Sequence, residues 1–502
     1  MTSRSSRRQF LKTSTTLTAG AALVGGLSIS QSAHAAGSDE IKIALIGCGG
    51  RGRQAIRDRI QVADNAKVVA IADAFEDDAN RAANGIRNDA NKEDNVMRNK
   101  ASLPEDRVFW GLDAYKKAID CLNPGDQVIL TTPPGFRPYQ YRAAVEKGLH
   151  VFMEKPVCVD APGYRHLMET NRMADEKNLK ICVGYCYRYD ATYCNWIEQI
   201  HAGKIGNIQY TRGYYNVGPI WCRNRNPGEG ELEFQVRNWY HFVWLCGENI
   251  VEQHCHRIDV HNWIHSQGDR MAHPTEANGM GGRLVRSGRE DLLRQAPDFA
   301  NRKEWDEWYQ QYKDGFYRHG QAWDNFVAEY TYADGSRHFT QCRHIKGVWN
   351  HNADYVHATA GSGKCVPAGS TTTLQGLDGQ EIWRNTEKFP KGMYEWEHDK
   401  HVEAIREDKP MNDGYSAGMS SMMAVLGREA AYSGKVQNWD ELVEKGRSYF
   451  PNGEVLDFNQ PAPVQPDANG FYESSVPVPG VYDPFLASDQ SPRRGSGRRQ
   501  TT

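Results

Sequence analysis

The sequence has no large excess of charge of either sign: 60 Lys and Arg stand against 63 Asp and Glu, a formal net charge of −3. It offers no electrostatic case for a nucleic-acid partner. Beyond the first 35 residues no run is long and apolar enough to span a membrane. No C-x-x-C pair occurs among its 11 cysteines, and no internal repeat is visible. Cys158 and Cys182 sit in apolar stretches and are expected as buried free thiols. Nor is there a metal-binding cluster that stands out from the pattern, so none is assigned.

Aromatic residues, by contrast, are plentiful, with 13 Trp and 24 Tyr. Flat aromatic walls suit a sugar-binding cleft, although core packing uses the same residues. The 502 residues suffice for two ordinary domains. Residues 1–35 read as a signal, not as fold. Ser6-Arg7-Arg8-Gln9-Phe10-Leu11-Lys12 matches the twin-arginine export pattern, a weakly apolar stretch follows, and Ala33-His34-Ala35 is a small-x-small cleavage site. The expectation is a periplasmic or otherwise extracytoplasmic protein that the twin-arginine export machinery carries folded. Folding first in a reducing cytosol agrees with free thiols.

Residues 41–52 organise the chain. The apolar run Ile41 to Ile46 predicts a buried strand, and Gly47, Gly49 and Gly52 form G-x-G-x-x-G. A helix over Arg53–Ile60 follows. Such a turn aims free N–H groups at a pyrophosphate, and glycine lets the backbone approach it. Gly47, Cys48, Gly49, Gly50, Arg51 and Gly52 are therefore candidate cofactor contacts, and a disulfide at Cys48 would obstruct them. A second apolar strand, Val68 to Ala72, ends at Asp73, the place for an acid that accepts the ribose hydroxyls. Ala74-Phe75 supplies no Arg for a 2′-phosphate, so NAD is expected over NADP.

Alternating strands and helices continue to about residue 185 and predict a doubly wound parallel sheet for 41–185. A polar stretch from Glu76 to Arg107 reads as an insertion holding a solvated helix and a loop. From Tyr185 the grammar changes, and 186–445 reads as an α+β domain. Gln209 to Asn216 is a strand, 217–240 a long loop, and Glu248 to His265 one helix. Asn325 to Asn385 reads as several antiparallel strands with turns at Asp334-Gly335 and Asp378-Gly379. Helices follow at His398–Glu407 and Met419–Ser433. The Pro- and Gly-rich stretch 451–502 reads as an extended strap, then disorder.

Three motifs carry chemistry. Thr132-Pro133 and Glu154-Lys155-Pro156 each close a strand of the parallel sheet, where ligands bind. Lys155 can hydrogen-bond a substrate hydroxyl, or be only a surface lysine. Helical spacing puts Glu252, His256, Asp259 and Trp263 on one stripe. An imidazole there suits a base that takes a hydroxyl proton, although a structural histidine or a metal pair from His261 and His265 has the same appearance.

The glycine turn, the Thr-Pro turn and Met153-Glu154-Lys155-Pro156 together resemble the Gfo/Idh/MocA oxidoreductases over roughly 41–440. The resemblance implies an NAD-binding Rossmann domain joined to an open-faced antiparallel sheet with helices. It also implies Lys155 and His256 as catalytic residues, with Glu252 at the position of the helix's first acid. His254 stands where the family has glycine, and Phe136-Arg137 where it commonly has histidine. Cofactor contacts extend to Thr132, Pro133, Glu154 and Lys155. Weaker substrate candidates are Tyr185, Arg188, Trp239, Tyr240 and Asp259, with Trp221, Arg223, Tyr394, Glu397 and His398 behind them.

The reading is an exported NAD-dependent oxidoreductase acting on a secondary hydroxyl of a sugar, polyol or glycoside, and the expected assembly is a homo-oligomer formed through the C-terminal sheet. The alternatives are a redox-neutral glycoside-cleaving enzyme with tightly bound NAD, similar to the NAD-dependent α-N-acetylgalactosaminidases of this family, and a non-catalytic sugar-binding protein of the same fold.

Overall fold

The computed structural model describes residues 40–223, 225–284, 298–312, 320–367, 372–451, 455–467 and 472–486. The stretch 1–35, where an export signal is expected, and the Arg-rich end of the tail lie outside the described residues. Among the described residues no helix is long and apolar enough to cross a membrane.

Six parallel strands form the first sheet: β1 (Ile41–Ile46), β2 (Ala66–Asp73), β3 (Val108–Trp110), β4 (Gln127–Leu130), β5 (His150–Met153) and β6 (Ile181–Val183). Their order is β3-β2-β1-β4-β5-β6. The order reverses between β1 and β4, which opens a crevice at their carboxyl ends. β4 and β5 are buried at every residue, as apolar runs covered on both faces must be. The helices Gly50–Gln61 and Glu76–Ala90 pack on one face, with Ile56, Ile60, Ala79, Ala83 and Ile86 meeting Ile43, Leu45 and Phe152. The second of these corrects the solvated insertion expected at Glu76: its small alanine stripe buries against the sheet, and it is a true crossover helix.

Nine strands form the second sheet: β7 (Ile208–Val217), β8 (Glu276–Gly282), β9 (Asn325–Thr331), β10 (Arg337–His344), β11 (His351–Ala358), β12 (Gly361–Cys365), β13 (Thr373–Gly376), β14 (Glu381–Arg384) and β15 (Gln437–Asn438). Their order is β14-β13-β12-β11-β7-β10-β9-β8-β15. The sheet is antiparallel except at its centre, where β7 and β10 run parallel. Strand direction across a long connection leaves no local sequence signal, so the expected antiparallel set becomes a mixed sheet. The helices Cys255–Ser266 and Gly414–Ser433 cover one face. The other leaves Met280, Val327 and Phe339 exposed.

Two further departures bear on the site. The stretch 217–240 is not only loop: it contains the helix Glu231–Arg237 and a 3-10 turn, Trp239–His241. Leu232, Phe234, Phe242 and Trp244 from this region join Phe450, Val464 and Tyr472 of the tail, and Phe75, Leu112 and Phe136 of the first domain, in a separate apolar core. The tail is thus a packed strap as far as residue 486. Second, the helix expected from Glu248 to His265 is broken. One turn, Asn249–Glu252, precedes the helix Cys255–Ser266. The Glu252 carbonyl accepts from Lys155 Nζ at 2.5 Å, while the His256 N–H turns to Gln253 O at 3.4 Å. The break frees the carbonyl that the lysine uses.

Candidate active site

The glycine turn is shaped by two requirements. Gly47 has φ of +95°, which L side chains rarely adopt, and a Cβ on Gly52 would fall 2.0 Å from the Gly47 carbonyl oxygen. Gly49 and Gly50 are different, since a Cβ there would meet nothing within 4 Å. Their bareness serves no packing; it leaves space in front of a helix N-terminus, as a bound pyrophosphate needs. Asp73 accepts from the N–H groups of Cys48 at 2.6 Å and Phe75 at 3.0 Å. Burial pushes its carboxyl up to about 6, against the pull of those two N–H groups. The cavity above is lined by Gly49, Gly50, Asp73 and Thr132 on one side and by Trp221, Arg223, Arg237 and Trp239 on the other. These residues fit a dinucleotide: a bare glycine cradle for the pyrophosphate, Asp73 for ribose hydroxyls and the Thr132-Pro133 turn for the nicotinamide half.

Arg51 does not reach freely into this space. Its guanidinium donates to Glu154 at 2.5 Å, Glu397 at 3.0 Å and Asp58 at 3.3 Å, and lies 4.6 Å over the Tyr394 ring. It ties the glycine turn to the end of β5 and to the helix Met393–Arg406. Glu397 is fully buried; burial first, then the charge of Glu154, raises its carboxyl well above the usual range. His398 is likewise buried, its ring tilted against that of Phe152 with centroids 4.1 Å apart.

Arg137, which replaces the family's histidine, is buried and joins the two turns that frame the cleft. It donates to the carbonyls of Thr132 and Glu154 and, at 3.2 Å, of Pro156. No periodicity announces such a clamp, since its partners lie on other turns.

Lys155 Nζ also donates to Glu252 Oε1 at 3.0 Å. Burial alone would lower the lysine, yet the Glu252 carboxylate, aided by Cys255 and Tyr240, holds it well above its ordinary value. Lys155 is therefore an ammonium, a donor and not a base. His256 has the opposite bias: burial, then the charges of Lys155, Arg257 and Arg51, push its imidazole well below the usual range. It stays neutral and able to accept a proton. Its ring packs edge-on to Tyr187 at 5.2 Å and Tyr185 at 6.3 Å. Gln253 extends the wall by donating to the Tyr240 hydroxyl at 2.9 Å and accepting from Tyr215 at 3.1 Å. Trp239 stacks on Tyr240 at 3.9 Å.

Other sequence candidates are spent on structure. Tyr185 is buried and its hydroxyl meets Ser421 at 3.0 Å. Arg188 forks onto Asp259, which also accepts from Ser420 at 2.7 Å. His254 faces away from the cleft, fully buried against Thr340. His261 meets Asp354 at 3.0 Å, and His265 lies between Thr211 and Ser336. Among the described residues no group of His, Cys, Asp or Glu is placed to hold a metal. One cation missed from sequence, Arg237, sits 3.8 Å over the Phe75 ring at the adenine end. Glu229 at 3.1 Å, Glu233 at 3.4 Å and Asp77 at 3.6 Å offset its charge.

The glycine cradle, the terminal acid of β2 and the crevice between β1 and β4 define a dinucleotide-binding Rossmann domain followed by a mixed sheet. Residues 41–185 match the oxidoreductase family with an NAD-binding Rossmann fold, GFO_IDH_MocA, and this domain belongs to that family. An inositol 2-dehydrogenase of Corynebacterium glutamicum is 25% identical over 224 residues, 43% of this chain and 56% of the relative. The chain thus spans little more than half the length of the curated relatives it matches. Two solved structures share the fold. An aldose-aldose oxidoreductase of Caulobacter crescentus aligns with TM-score 0.56 at 15% identity, over 80% of this chain and 99% of that one. A scyllo-inositol dehydrogenase of Lactobacillus casei, with NAD(H) and scyllo-inositol bound, aligns with TM-score 0.52 at 17% identity, over 80% and 99%.

Proposed function

We propose that this protein is an NAD-dependent oxidoreductase acting on a secondary hydroxyl of a sugar, polyol or glycoside. The observation that carries it is the pairing of a lysine held as ammonium by Glu252 with a neutral, partly exposed His256. Bound NAD supplies a hydride acceptor at its nicotinamide ring. Lys155 donates a hydrogen bond to the substrate oxygen and favours its alkoxide. His256 takes the hydroxyl proton as hydride leaves the same carbon. Glu252 keeps the ammonium charged and aimed. Trp239 and Tyr240 offer flat apolar faces to a sugar ring. The relatives' names, an inositol dehydrogenase and an aldose oxidoreductase, support this substrate class.

The twin-arginine pattern supports export with the cofactor already loaded. The helix Glu231–Arg237 and the turn Trp239–His241 cover the cavity, and the apolar core that joins this cover to the tail supports retention of that cofactor. Retention in turn favours, as a second reading, a cycle in which the hydride returns to the same or a second sugar, as in redox-neutral glycoside cleavage. The exposed apolar residues of the open sheet face support a homo-oligomer built through it. The test is to isolate mature protein from the periplasm, dialyse and denature it, and measure released dinucleotide. It is then screened against inositols, aldoses and glycosides for sugar products and free NADH. Stoichiometric NAD and turnover without added cofactor are expected. Protein that arrives empty and releases NADH only with added NAD would refute the retained-cofactor cycle; no turnover on any of them would leave a binding protein.

A further inference from the structure

We propose that Arg223, on the segment covering the cleft, is a pyrophosphate-binding residue that clamps the dinucleotide from the side opposite the glycine turn. The inference rests on the NAD reading above. Three arginines line the cavity: Arg51, Arg223 and Arg237. Arg51 is held by Glu154, Glu397 and Asp58, and Arg237 by Glu229, Glu233 and Asp77. Asp73 and Asp78 line the same space. A dinucleotide adds two negative charges to a cavity whose Arg51 and Arg237 are already matched by carboxylates. Among the described residues, no carboxylate lies within ion-pair distance of Arg223, whose guanidinium rests 5.2 Å over the Trp221 ring.

Its position along the cavity identifies the ligand group. Arg237, Trp239 and Tyr240 of the cover all line the cavity. Arg237 lies over Phe75, beside the β2 end where the adenosine half binds. Tyr240 lies at the Lys155 end, bound to Gln253. Asn238 stands between them, and its side-chain oxygen accepts the Arg223 N–H at 2.8 Å. The backbone of Arg223 is therefore pinned to the cover between its two ends, and its side chain lines the same cavity as the bare faces of Gly49 and Gly50. A guanidinium suits two phosphate oxygens better than an ammonium does, because its fork of N–H groups is planar and fixed. The cover that carries it is itself held by Tyr472 on Glu231 at 2.5 Å and by Gln235 on the Val464 carbonyl.

The test uses full mature protein stripped of nucleotide, its fold checked by circular dichroism. NAD, ADP and adenosine are titrated against wild type, Arg223→Gln and Arg223→Lys by calorimetry at two salt concentrations. Loss of one charge-assisted phosphate contact is expected to weaken NAD and ADP by about 10–100-fold in Arg223→Gln. Adenosine, which lacks phosphate, should bind all three proteins alike, and Arg223→Lys should recover part of the affinity. The salt dependence of NAD binding should be shallower in Arg223→Gln. Equal NAD affinity in wild type and Arg223→Gln would overturn this assignment alone. An equal loss for adenosine would show a collapsed cleft and also overturn it. A wild type that binds no NAD would overturn the cofactor reading and this proposal with it.

Discussion

The two sides of the broken helix near residue 254 hold histidines in nearly the same electrical state and to opposite ends. On the cleft side His256 is neutral because burial and the charges of Lys155, Arg257 and Arg51 oppose its protonation. On the sheet side burial, reinforced by Arg257, lowers His254 to about 3, and burial with His261 lowers His265 to about 3. There His338 stacks on His261 at 4.2 Å, and a Cβ on Gly213 would meet the His261 ring at 2.8 Å. The layer is closed by Asp354, shared by His261, Arg257 and the Tyr193 hydroxyl. A depressed pKa is thus common to both sides and identifies neither. What sets His256 apart is partial exposure beside the charged Lys155.

The largest effects should fall on the cleft side. Lys155→Ala and His256→Ala are expected to lower kcat by about 10²–10⁴-fold while retaining NAD, with His265→Gln near wild type per folded molecule. Steady-state rates beside NAD titrations make the comparison, and equal losses on both sides would erase the distinction. Next in size is the closure of the sheet side. Asp354→Asn leaves Arg257 buried with only neutral partners, and should cost about 3–5 kcal/mol of stability in urea unfolding. Cofactor affinity should stay unchanged; a matching loss of NAD binding would mean that the two sides act as one. The effect that is smallest per pH unit is graded by pH. His254 and His265 have ordinary values of 6.5 when unfolded and about 3 when folded. Between these limits the unfolded chain binds more protons, so stability falls as pH drops from about 6.5 toward 3. Each contributes up to about 1.4 kcal/mol per pH unit. His265→Gln should flatten the slope of stability against pH by one such share, whereas an unchanged slope would place the acid sensitivity elsewhere.

How far these features were legible depends on how local they are. The strand, glycine turn and Asp73 occupy one short stretch, and the period of each element is written in it. Lys155 was legible for a similar reason, since its turn ends a strand at the crevice. His256 was legible as a residue, but not the break that precedes it: a carbonyl captured by a lysine 97 positions away has no period. Arg137 looked like a lost histidine and is a clamp between two turns. Tyr185 and Arg188 read as weak substrate candidates at a domain start, yet their partners are Ser421 and Asp259, far along the chain. Arg237 was invisible as a neighbour of Phe75, because 162 residues separate a ring and a cation that touch in space.

The strap that completes the third apolar core has a consequence for biosynthesis. A ribosome delivers the glycine turn and the whole parallel sheet before it delivers Phe450, Val464 and Tyr472. For most of translation the nascent chain therefore has a finished cradle with an unfinished roof. Dinucleotide that arrives during that interval meets a glycine turn not yet covered by the core of Phe450, Val464 and Tyr472. The order of residues along the chain thus makes the cradle older than its roof.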